Sequence, residues 1–186
     1  MKTAIILFII LLTAWLLEWF IYEETAVKRK EVGAKALLTK SVLALMFLCA
    51  ILASYLLNMF SDGPTLISKF FGVMFLIQGL FLRFWTYRLT KQHFTRTIMP
   101  IEHRPLYSHG PFRYTRHPFH TGFFLIALGT CLFISGHWLS ILFTFVFVGS
   151  ALHYRMTLEE AVYKEKYGEI YTYWCRHRFR LLPFLY

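Results

Sequence analysis

The residues equipped for chemistry fall in two short stretches, Arg116-His117-Pro118 and Arg155 with Glu159-Glu160. Adjacent arginine and histidine can grip an anion such as a carboxylate. Pro118 suits the first turn of a helix, whose N-terminus also favours negative charge. The same triplet also reads as an interfacial anchor, since basic and aromatic residues flank many membrane helices. Arg155 and Glu159 are four apart and share a helix face, whereas Glu160 points well round from them. That set is either a juxtamembrane ion pair or the charged rim of a pocket in the bilayer, where ionisable groups are costly and usually functional.

The elements that must position these residues are membrane helices. Of the 186 residues 57% are hydrophobic and 19% aromatic, an apolar excess that points to a membrane protein rather than a soluble core. A bilayer core takes roughly 20 residues of helix. Five segments approach that length: 3–22, about 41–60, about 70–87, about 119–134 and 138–154, the last two joined as a helical hairpin by Ser135-Gly136-His137. The first run is longer than the apolar region of a signal peptide, contains Glu18 and lacks a small-x-small cleavage site, so a retained span is expected. The expected fold class is all-α and polytopic. No internal repeat appears, which argues against solenoids and inverted-repeat transporters.

Charge sets the expected orientation. Lys28, Arg29, Lys30, Lys35 and Lys40 lie in or beside the first loop. Arg88, Lys91, Arg96, Arg104, Arg113 and Arg116 lie in the third, and Arg155, Lys164, Lys166, Arg176, Arg178 and Arg180 follow the fifth span. The other side keeps Lys2 and Lys69. Loops one and three and the C-terminus are therefore expected in the cytoplasm, with the N-terminus outside, so that 88–118 and 155–186 can build one cytoplasmic-face site. The net charge of +10 sits between apolar runs and matches anionic headgroups, not nucleic acid. Cys49, Cys131 and Cys175 are scattered, with no CxxC or Cys/His pairing, so neither disulfides nor a metal site are expected. Arg83, inside the third span, is expected to snorkel to the cytoplasmic surface. Tyr163, Tyr167, Tyr171 and Trp174 recur at helical spacing, giving one aromatic face that either lies on the interface or lids a cofactor. His137 reads as a loop residue, and His153 as pocket or packing.

On these residues the chain resembles the isoprenylcysteine carboxyl methyltransferase and phospholipid methyltransferase superfamily of integral membrane enzymes. The matching order is Leu106-Tyr107, Gly110-Pro111-Phe112, Arg116-His117-Pro118-Phe119-His120-Thr121-Gly122, Arg155, Glu159-Glu160, Tyr167-Gly168, Tyr171 and Pro183. The stretch from Arg83-Phe84-Trp85 to Arg96-Thr97-Ile98-Met99-Pro100 is similar to the bacterial branch that O-methylates alkylpyrone-type lipids. The resemblance implies one domain over 1–186, with an N-terminal two-helix region (1–65) that carries no family motif and a catalytic core (66–186).

It also implies S-adenosyl-L-methionine as cofactor. Arg104, Leu106, Tyr107, Phe112, His117, Pro118, Phe119, His120 and Glu159 would bind it, while Arg155 would face the acceptor with Glu160 as the second carboxylate. Arg104, Phe112 and His120 replace the family's usual His, Tyr and Tyr. The partners implied are the bilayer and a lipophilic acceptor. A carboxylate acceptor would need Arg155 to orient it and no base. A hydroxyl or amine would need its proton taken up, by Glu160 if burial raised its pKa. Phospholipid N-methylation, an NADPH-dependent sterol-type reductase and a non-enzymatic membrane module are the alternatives.

Overall fold

In the computed structural model, which describes residues 2–23, 34–61, 63–96, 98 and 105–181, the apolar runs fold as long helices. They are α1 (Lys2–Ile21), α2 (Ala34–Met59), α3 (Leu66–Thr90), α4 (Pro118–Ser135), α5 (Leu139–Thr144), α6 (Ser150–Tyr167) and α7 (Glu169–Arg176). A π turn at Phe145–Gly149 joins α5 to α6, making one helix from Leu139 to Tyr167. Among the described residues five helices are long and apolar enough to cross a membrane, as the run lengths predict. The fifth extends beyond the expected 138–154, because nothing after Tyr154 breaks a helix until Gly168. It therefore carries Arg155, Glu159 and Glu160 on its own continuation.

The centre is the α3–α4 pair, built on small residues. A Cβ on Gly79 would come within 2.6 Å of the Gly122 carbonyl oxygen, and one on Gly129 within 2.5 Å of the Gly72 oxygen. Two glycines seven residues apart on each helix let the backbones touch, the usual way membrane helices gain packing contacts. Helix α2 and the α5–α6 helix pack on this pair. Phe47, Ala50, Phe124, Ala127, Leu128, Cys131, Val148, Leu152, Met156 and Leu181 form the core between them.

Helix α1 inverts the pattern of a soluble helix. Ile6, Ile9, Ile10, Leu16 and Phe20 are exposed, and its one buried residue is Glu18. Only lipid makes such an outer face tolerable, and only a buried partner makes the carboxylate tolerable. That partner is Arg83, whose Nε donates to Glu18 Oε2 at 2.7 Å and whose Nη2 pairs with Oε1. Arg83 also donates to the Phe119 carbonyl at 3.2 Å and lies over the Phe119 ring. The expected snorkelling is thus corrected. Arg83 is buried because a carboxylate on a neighbouring helix neutralises it within the bundle.

The C-terminal segment is strapped across the start of α4. Arg116 N donates to Phe179 O at 2.8 Å and Phe179 N to Tyr114 O at 3.0 Å, while the Thr121 hydroxyl takes Leu181 O at 2.7 Å. Pro183 and Arg104 lie outside the described residues.

Candidate active site

Pro118 opens α4 without needing an N–H, and His117 stands at the cap position before it. This places the imidazole at the point where α4, α6 and the C-terminal strap meet. His117 is buried, which removes the interfacial-anchor reading. Its Nδ1 lies 3.4 Å from Glu159 Oε2 and its Nε2 3.1 Å from Glu160 Oε1. An imidazole can donate through both nitrogens only when protonated. Burial pushes His117 toward the neutral form, but the two carboxylates outweigh it and hold its pKa above the ordinary value.

The two glutamates have different surroundings. Glu159 Oε1 is 3.1 Å from Arg155 Nε and 3.3 Å from His120 Nε2. Arg155 Nε also lies 3.1 Å from His120 Nε2, so guanidinium, carboxylate and imidazole share one junction. Glu160 Oε1 instead accepts from Arg116 Nη1 at 3.0 Å, with Arg180 Nε at 3.2 Å. His117 bridges the two groups. Consecutive residues on a helix point about 100° apart, so Glu159 faces inward with Arg155 while Glu160 turns toward the strap.

A cavity of about 460 Å³ opens beside this junction. One end is aromatic, with Leu106, Tyr107, Phe112, Tyr163, Tyr167, Tyr171 and Trp174 in its wall. Tyr107 stacks on Phe112 at 5.4 Å and Tyr171 on Trp174 at 5.7 Å. The Trp174 indole N–H is held by Tyr107 O at 3.1 Å and Ser108 Oγ at 3.0 Å. The aromatic face does not run along one helix as its spacing predicts. Gly168, at φ 57° and ψ −129°, ends α6 and turns α7, and both helices then bring their rings to the cavity. The other end is lined by Trp15 and Trp19 of α1, Leu43 and Phe47 of α2, and Phe123 of α4. Arg83, Pro118, Phe119, His120, Arg155 and Glu159 form the wall between. His117 and Arg116 line the cavity as well, whereas Glu160 is not among its lining residues.

The sequence-predicted residues Leu106, Tyr107, Phe112, His117, Pro118, Phe119, His120, Arg155 and Glu159 therefore share one cavity. His153 stays at the surface beside Arg180, and His137 organises the α4–α5 turn through its carbonyl and ring. Trp15 and Trp19 line the cavity, and Glu18 and Thr39 hold Arg83 and Arg155 of its wall from behind; the sequence singled out none of the four for the site. A lone carboxylate in one apolar run and a lone arginine in another was the available signal for Glu18.

His117, His120 and Glu159 place potential metal-ligating atoms within 4.8 Å of one another. Arg155 Nε stands 3.1 Å from two of these side chains, so a cation there would have to displace a guanidinium.

A family model described as the isoprenylcysteine carboxyl methyltransferase (ICMT) family matches residues 72–165, just over half of the chain. The match takes in most of α3, all of α4 and α5, and α6 through both glutamates. It leaves out α1, α2 and α7. No curated protein matches the chain.

Proposed function

The chain belongs to the isoprenylcysteine carboxyl methyltransferase family, and on that premise we propose that it methylates an ionised oxygen of a lipophilic acceptor, a carboxylate or an acidic enol, with S-adenosylmethionine as donor. The observation that carries this reading is the charge of the cavity wall. Among the described residues Lys40, Arg83, Arg96, Arg116 and Arg155 line it, against the single carboxylate of Glu159. Counting Glu18 behind Arg83 and Glu160 behind Arg116 still leaves the cations in the majority. Such a wall favours an anion and disfavours an ammonium. Among the described residues the groups of this wall best placed to take a proton are already engaged, and His120 Nε2 accepts from Arg155 Nε. Glu159 is committed to Arg155 and two histidines, and the Thr86 and Thr90 hydroxyls donate to Leu82 O and Thr86 O.

The residues present suit S-adenosylmethionine. The cavity of about 460 Å³ falls within the roughly 300–1,000 Å³ usual for small-molecule sites, and its aromatic end suits a flat heterocycle. On this reading Leu106, Tyr107, Phe112, Tyr171 and Trp174 hold the ring. By the resemblance His117, at the start of α4, serves the cofactor's carboxylate and Glu159 its ammonium, each exchanging one of its present partners for the ligand. Pro118, Phe119 and His120 shape the wall, and Arg104 keeps its expected role through the resemblance alone. When bound, the cofactor supplies a sulfonium methyl, so the acceptor oxygen gains a C–O bond as the C–S bond breaks, and no proton has to move. Arg155 orients the acceptor oxygen. Glu160 fixes Arg116, His117 and Arg180 rather than taking a proton. The apolar limb between Trp15, Trp19, Phe47 and Phe123 receives the acceptor's tail, which enters from the bilayer.

The test is methyl transfer from tritiated S-adenosylmethionine to chain-matched dodecanoate, dodecanol and dodecylamine by the purified protein in neutral lipid nanodiscs. The expected product is a base-labile ester of the carboxylate. Label on the amine would point instead to N-methylation, and binding of NADPH without S-adenosylmethionine to a reductase.

A further inference from the structure

Arg155 reaches across the bundle to helix α2, outside the family match. Its Nη1 donates to the Thr39 hydroxyl at 3.2 Å and its Nη2 to the Arg96 main-chain oxygen at 2.7 Å. Its Nε is spent on the Glu159–His120 junction. A guanidinium has five N–H donors, and these partners take one from each nitrogen. Among the described residues one N–H on each terminal nitrogen is therefore not engaged, a pair with which a guanidinium can fork the two oxygens of a carboxylate.

A fork is useful only if its plane is fixed. Glu159 and the Arg96 oxygen hold the Nε and Nη2 edge, and Thr39 is the partner that holds Nη1. Thr39 is buried and stands behind the wall, while Lys40 and Leu43 of the same helix line the cavity. Its hydroxyl can therefore set the guanidinium without meeting either reactant.

We propose that Thr39 is a positioning residue for the acceptor. Through Nη1 of Arg155 it turns the guanidinium so that the remaining N–H on each terminal nitrogen can hold a two-oxygen anionic head. This rests on the reading that the acceptor is ionised. It makes α2 a determinant of which head group is accepted, a part that the family resemblance assigns to no residue of this helix.

The probe is dodecanoate, whose binding is measured on purified protein in phosphatidylcholine nanodiscs with S-adenosylhomocysteine present, so that no turnover intervenes. Dodecanol and dodecylamine are run in parallel. Thr39→Val keeps the shape and loses the hydroxyl. It is expected to weaken dodecanoate binding about five- to tenfold, the scale of one hydrogen bond, while dodecanol binding and S-adenosylmethionine affinity hold. Thr39→Ser, which restores the hydroxyl, should recover most of the preference for the carboxylate. Unchanged dodecanoate binding in Thr39→Val overturns the proposal. So does a parallel loss of melting temperature, cofactor affinity and all three probes, which would make Thr39 a packing residue. If the wild type itself shows no preference for dodecanoate over dodecylamine, the ionised-acceptor reading has failed, and the proposal with it.

Discussion

His117 concentrates the electrostatics of the site in one ring. Its imidazolium is stabilised by carboxylates at both nitrogens against the penalty of burial, which lifts its pKa above the ordinary 6.5. For a group raised on folding, the stabilisation is complete below the unfolded value and is lost as pH rises through the folded value. The melting temperature of the purified protein should therefore fall as pH climbs from 6.5 through that raised value. His117→Gln, which cannot titrate, should flatten this part of the profile. Parallel profiles for wild type and variant would show that another group titrates. Glu160 gives the second prediction at this scale. Bound to Arg116, His117 and the strap arginine Arg180, it is expected to matter for stability more than for turnover. Glu160→Gln should melt earlier yet methylate a carboxylate acceptor within a few-fold of the wild-type rate. A loss of about 10²-fold on a hydroxyl acceptor, in a variant that melts normally, is the signature of a positioned base and would return that role to Glu160.

Helix packing depends on two features that composition alone does not announce. One is the Glu18–Arg83 pair, which ties the peripheral α1 to the central α3 and, through the Phe119 carbonyl, to the first turn of α4. Breaking a buried pair from one side leaves an uncompensated charge and costs about 3–5 kcal/mol, whereas replacing both partners by apolar residues is often neutral. Glu18→Ala should therefore lower the denaturation midpoint in detergent sharply, and the double variant Glu18→Leu with Arg83→Met should regain most of the loss. The other is the glycine contact between α3 and α4. Gly79→Leu would drive a side chain into the Gly122 carbonyl and the Ile126 backbone. Overpacking costs typically 1–3 kcal/mol even where neighbours can shift, and backbone cannot. The expected outcome is little or no monodisperse protein in size-exclusion chromatography, while Gly79→Ala remains partly folded.

The whole molecule gathers its functional groups at one end of the bundle. The C-terminal parts of α1 and α3, the first half of α2, the start of α4 and α6 along its length from Leu152 to Tyr167 all line the same cavity, so the N-terminal helix pair is part of the candidate site. On the positive-inside rule that end is expected to face the cytoplasm. A phosphatase reporter that works only outside the membrane should accordingly be silent at the C-terminus and active at the N-terminus. The reverse pattern would invert the orientation, and activity at both ends would require an even number of spans.

The sequence by itself determined what local properties decide. Apolar run length set the count of spanning helices, the Arg-His-Pro triplet set the start of α4, and residue order set the family. The spacing of Tyr163, Tyr167, Tyr171 and Trp174 announced an aromatic cluster, though Gly168 hid that two helices build it. The tertiary structure alone decided which polar side chains meet. Glu18 and Arg83 are 65 positions apart and Thr39 and Arg155 are 116, separations over which pairing depends on how helices rotate and tilt against one another. The π turn at Phe145–Gly149 contributes here, since one inserted residue rotates everything beyond it by about 100°, including the face on which Arg155 and Glu159 look inward. The division between Glu159 and Glu160 was half legible: helical geometry separates them, but only the packing of α4 against α6 placed His117 between the two.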